Sequence, residues 1–163
     1  MRARTCRRRE AGGGTVGPGA PAALIPGART VRVRVLAAVA AVVTVAAGLA
    51  VRAGADGAFA KCAGSALYTV LLCTLVTLCA PRARPLVVAS TALGLSWAVE
   101  FAQLTGVPAE LSAHSAAARL VLGSTFNAPD LFWYAVGAAA AGSVHAGARR
   151  RATASSAVYP RPR

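Results

Sequence analysis

Four long apolar stretches constrain this chain more than any other feature. Each approaches the roughly 17–25 residues that a helix needs to cross a bilayer. Val35–Val51 and Cys62–Ala80 carry no charge. Pro85–Leu104 is apolar except for Glu100 and Gln103, and Pro129–Val144 is charged only at Asp130. Buried helices of a soluble domain would need polar helices to cover them, and no amphipathic segment of that length remains. Only 14% of the 163 residues are charged and 56% are hydrophobic, against about 25% charged in an ordinary soluble domain. The sequence predicts an all-α, polytopic membrane protein with four transmembrane helices, placed in the plasma membrane.

The basic residues set the expected orientation. Fifteen of the 18 Lys and Arg lie in the two tails and the second loop. Arg52, Lys61 and Arg119 lie on the other side. Both termini are expected in the cytoplasm, with the first and third loops outside. The net charge of +13 is therefore topological. No basic–aromatic interleaving points to nucleic acid, so the expected partners are membrane lipids and a helix-packing partner or second copy.

Residues 1–30, rich in Gly, Pro and Arg, read as a disordered basic tail. The membrane domain is expected over 31–148, followed by a second disordered basic tail, 149–163. Val31 and Val33 stand just before the first span, so a later start site is an alternative. Ala53-Gly54-Ala55 resembles a signal-peptidase site, but an n-region of about 34 residues is too long for one, which favours a retained helix. Cys6, Cys62, Cys73 and Cys79 show no disulfide or zinc spacing. They read as small apolar fillers, and neither metal nor cofactor is assigned.

Charged groups inside a span cost roughly 2.5–3.5 kcal/mol at its centre and less near its ends, so they ask for a reason. Glu100 and Gln103 share a helix face. Asn127, Asp130, Tyr134 and Gly137 form a second stripe. Glu100 lies roughly 22 Å along its helix from Pro85 at 1.5 Å per residue, near the outer boundary. Asp130 begins the fourth helix there, and Lys61 and Ser65 begin the second. These positions predict one outward-facing polar cluster of Glu100, Gln103, Asn127 and Asp130. Lys61 and Arg119 are its candidate counter-charges, and Ser65 and Tyr134 lie beside it. A purely structural role stays open: Asn127 suits an N-cap, Asp130 the positive helix end, and Glu100 could pair with Arg119.

Thr105–Phe126 is long for a bundle connection. Ala109–Leu122 reads as a short outer-surface helix, with Pro108 before it and Gly123 as its stop. On the fourth helix, Gly137/Ala141 and Ala138/Gly142 are small-residue pairs that permit close packing. The first helix offers little beyond packing.

Several segments resemble a known family. Ala63–Tyr68 (AGSALY) is similar to the GDALW/Y segment of DUF2809, a family of small bacterial membrane proteins of unknown function. Val99–Leu104 (VEFAQL) is similar to its VEFSQL segment. Arg119–Leu131 (RLVLGSTFNAPDL), with Tyr134 to Gly137 (YAVG), resembles its ending. The likeness spans about residues 31–145. It implies a four-helix, envelope-facing protein, VanZ-like in pattern; some VanZ-like proteins affect glycopeptide sensitivity. No reaction is implied. Ser65 stands where the family has an acidic residue, so a role for that carboxylate would be missing here.

The expected function is binding of a lipid headgroup or glycopeptide-like ligand at the outward cluster. The alternatives are a membrane enzyme acting on an envelope lipid, and a structural or transporter-accessory bundle. No catalytic residue is assigned.

Overall fold

The computed structural model describes residues 26–123 and 125–157. They form helices joined by short turns, with no strand among the described residues. Helix α1 is Pro26–Gly54, α2 Gly57–Cys79 and α3 Pro85–Ala102. A 3-10 turn, Gln103–Thr105, leads into two short helices, α4 (Val107–His114) and α5 (Ala116–Leu122). The last helix, α6, is Ala128–Ala157. Helices α2, α3 and α6 pack on one another, and α1 packs mainly on α2. The α1–α2 turn, α4, α5 and the start of α6 share what is here termed the upper end. The α2–α3 loop, the start of α1 and the close of α6 form the lower end.

The chain reverses where its sequence stops supporting helix. After α1 ends at Gly54, Gly57 adopts φ +68°, a left-handed conformation that costs glycine little. Pro85 sits in the first turn of α3, where a missing N–H is harmless. At the lower end Arg149 donates to the carbonyls of Ala83 (2.9 Å) and Arg82 (3.1 Å). It thereby ties α6 to the α2–α3 loop.

Three stretches are long and apolar enough to cross a membrane: Gly27–Gly54, Gly57–Cys79 and Pro85–Thr105. The fourth expected span, Pro129–Val144, is helical within α6 but is not among them. It is Ala- and Gly-rich, and His145 and Arg149–Arg151 follow closely, so its apolar character is weaker. Large apolar side chains such as Val42, Val43, Leu86 and Phe132 point outward, and the core is small: Cys73, Val88 and Ala92. Such a surface suits lipid and would be a liability in water. Hydroxyls within the helices bond back to the preceding turn, as Thr44 does to Ala40 (2.7 Å) and Thr77 to Cys73 (2.8 Å), which satisfies them where water is absent. Ser96 donates to the Ala92 carbonyl (3.0 Å), so the buried Thr69 hydroxyl, 2.9 Å from Ser96, donates across α2–α3 to Ser96.

Two boundaries differ from the sequence reading. The expected single helix over Ala109–Leu122 begins earlier, with Pro108 inside its first turn, and breaks at Ser115. That residue is extended, and its hydroxyl accepts the Ala118 N–H at 3.2 Å. A serine that caps a new helix ends the old one. Gly123 does act as the stop, at φ +66°. The helices also overrun the expected tails. Pro26–Thr30 open α1, and Arg149–Ala157 close α6. Residues 1–25 and 158–163 of those tails lie outside the described residues.

The small residues of α6 are in contact. A Cβ on Gly137 would collide with the Ala66 backbone carbonyl, and one on Gly142 would lie 3.1 Å from Ala89 Cβ. Ala141 packs against the Cys73 core. Gly137→Ala should therefore push α2 from α6 and lower the unfolding temperature of the detergent-purified protein, at a cost of about 1–3 kcal/mol. Gly94→Ala, with open space around it, should leave that temperature unchanged or raised.

Candidate functional site

At the upper end the sequence places Glu100 in the last turn of α3, next to the start of α6. Its carboxylate is 1% exposed, and both oxygens are engaged. Oε1 accepts the backbone N–H of Asn127 at 2.5 Å, and Oε2 accepts the Tyr134 hydroxyl at 2.8 Å. Asn127 immediately precedes α6, so this N–H belongs to the unsatisfied set at a helix start. In a common local cap, the acidic side chain three residues on returns to that N–H. Here Asp130 holds that position but accepts the Asn127 side-chain amide instead, at 2.9 Å. Glu100 supplies the missing acceptor from a different helix. Its negative charge also faces the positive end of the α6 dipole.

One turn on, Gln103 donates through Nε2 to the Leu122 carbonyl at 2.6 Å. Its Oε1 is buried with no hydrogen-bond partner among the described residues. A Cβ on Gly123 would lie 2.6 Å from Gln103 Nε2, and its φ of +66° is one that other residues rarely adopt, so glycine suits the point where α5 ends beside α3. The Ser112 hydroxyl donates to the Gly123 carbonyl at 2.7 Å, which ties α4 to the same point. Trp97 donates to the Leu131 carbonyl at 3.2 Å. Tyr68 of α2 packs on Tyr134, ring centroids 6.1 Å apart.

Beside this knot lies a cavity of about 560 Å³. Thr44, Gly48 and Arg52 of α1, Lys61, Ser65 and Tyr68 of α2, and Gln103, Gly123 and Tyr134 all line it, with Asp56 at the α1–α2 turn. Leu49, Leu67 and Leu71 form apolar wall. The first helix thus lines the cavity as well as packing on α2.

The expected cluster divides in two. Glu100, Asn127, Asp130 and Tyr134 form one hydrogen-bonded knot, while Gln103, Lys61, Ser65 and Tyr134 face the cavity. Lys61 and Arg119, the expected counter-charges of the cluster, are exposed, and the hydrogen-bond partners of the Glu100 oxygens are Tyr134 and Asn127. The Ser65 hydroxyl bonds its own helix at the Lys61 carbonyl (3.0 Å). The sequence reading missed Arg52, Asp56 and the Ser112–Gly123 tie. Arg52 and Asp56 flank the tight α1–α2 turn, which was the available signal. Ser112 gave none.

Residues 54–138 match the sequence model of a family described as a protein of unknown function (DUF2809). The chain belongs to this family. The matched region holds the whole knot and most of the cavity lining, so the upper end is made from the DUF2809 part of the chain. No curated protein and no solved structure matches the sequence.

For this DUF2809 protein, loss of one partner in the knot leaves a buried group unsatisfied. Tyr134→Phe should destabilise it by about 1.5–3 kcal/mol, the range for a hydrogen bond to a charged group. Glu100→Ala should cost more than Glu100→Gln, since glutamine retains an acceptor for the Asn127 N–H. Thermal unfolding of the purified variants in one detergent would rank them.

Proposed function

We propose that this DUF2809 protein is a four-span protein of the bacterial plasma membrane. Both termini are cytoplasmic, and its upper cavity holds an envelope lipid by the headgroup at the outer surface. The observation that carries this reading is the cavity of about 560 Å³ lined by Gln103, whose buried Oε1 has no partner among the described residues, and by Arg52 and Lys61. Its volume lies within the roughly 300–1,000 Å³ typical of ligand sites.

The lining selects a chemistry. A buried acceptor without a donor is costly, and a ligand hydroxyl or ammonium would relieve Gln103 Oε1. Arg52 and Lys61 suit a phosphate, with guanidinium offering a fork and ammonium a point charge. The leucine wall suits the start of an acyl chain. A phospholipid with a hydrogen-bond donor on its headgroup meets all three demands. Both oxygens of Glu100 are taken by Asn127 and Tyr134, so Glu100 holds the site's frame, which favours a positioning role for it over acid–base catalysis.

Orientation and occupancy are tested separately. In a background with the four native cysteines replaced by alanine, His114→Cys should react with a membrane-impermeant maleimide on intact cells. Labelling only after permeabilisation would invert the topology. Native mass spectrometry of the purified protein should show retained phospholipid. Gln103→Ala and Lys61→Gln should each lower that retention by about tenfold, the effect of losing one good polar contact. Equal retention in both variants would remove the cavity as the site.

A further inference from the structure

A second cleft, of about 400 Å³, lies at the lower end between Arg29 of α1 and Arg149, Arg150 and Thr153 of α6. We propose that it binds the phosphate of an anionic phospholipid headgroup in the leaflet at that end. The proposal shares the membrane reading above but does not depend on what the upper cavity holds.

Three guanidinium groups from two helices border one cleft, and like charges brought together repel. The four carboxylates among the described residues are Asp56, Glu100, Glu110 and Asp130, and all belong to upper-end elements. Among the described residues no carboxylate stands at that end, so a bound anion suits the cleft.

The cleft is also partly pre-built. Arg149 is half-buried and fixed by its bonds to Ala83 and Arg82. Those use two of the five N–H donors of a guanidinium. The remainder are held in place, which lowers the entropic cost of binding. Arg29 and Arg150 are exposed and present forks that match phosphate oxygens. Depth fits as well. The apolar run of α1 starts after Arg34 and that of α6 ends near Val144, so the cleft sits where the helices leave the hydrocarbon. Basic pockets between spanning helices bind lipid headgroups in this position.

The test uses the full chain purified in a zwitterionic detergent, with Arg149 retained because it also holds the loop. Short-chain phosphatidylglycerol, phosphatidylcholine and inorganic phosphate are compared by native mass spectrometry and thermal shift. Wild type should bind phosphatidylglycerol in preference to phosphatidylcholine. The double variant Arg29→Gln/Arg150→Gln should bind it about tenfold more weakly. Arg32→Gln/Arg151→Gln, with the same charge loss outside the cleft, should bind as wild type does. Equal weakening in both variants would overturn the proposal in favour of diffuse attraction. No preference for phosphatidylglycerol would also overturn it. Inorganic phosphate acting as well as the lipid through the same arginines would replace the lipid with a free anion. If the double variant fails to fold, the single variants Arg29→Gln and Arg150→Gln, each compared with Arg32→Gln, make the same discrimination.

Discussion

The Glu100 carboxylate is the point on which the upper end depends. It is almost wholly buried, so its charge must be met by donors in fixed positions. One donor is the N–H at the start of α6, and the other is a tyrosine hydroxyl two turns into the same helix. A single side chain of α3 therefore fixes the depth and the rotation of α6. Tyr134 carries that constraint to α2 through its contact with Tyr68. The cavity wall contains both rings and Gln103, so its shape follows from the same anchor.

Much of this was legible in the sequence, for a definite reason. Charged and amide groups are expensive in apolar segments, so Glu100, Gln103 and Asp130 stood out against their surroundings. Helical spacing then put each on a particular face and at a particular depth. The small residues Gly137, Ala141 and Gly142 were legible in the same way, because close helix packing in lipid requires them. The partners were less so. The sequence pointed to Lys61 and Arg119 as counter-charges, since opposite charge is the obvious complement to a carboxylate. The actual partners include a backbone N–H, which every residue but proline carries and no side chain announces. The break at Ser115 was hidden because alanines on both sides favour helix, and one cap outweighed them. The cavity could not be read at all, since it arises from how α1 leans on α2.

Charge is also segregated along the molecule. The described acidic groups gather at the upper end with Arg52, Lys61 and Arg119, whereas the described charges at the lower end are arginines. Between them the hydroxyls bond within their own helices or to each other. Among the described residues each end therefore offers a distinct chemistry, mixed above and cationic below, across an apolar middle.

Helix α1 lies to one side of the three-helix core and rests mainly on α2. The cavity takes one wall from this outlying helix and the other from the core. Side chains on the α1 wall can therefore change without disturbing the contacts that hold α2, α3 and α6 together. A bundle built this way can vary that wall while its scaffold stays constant.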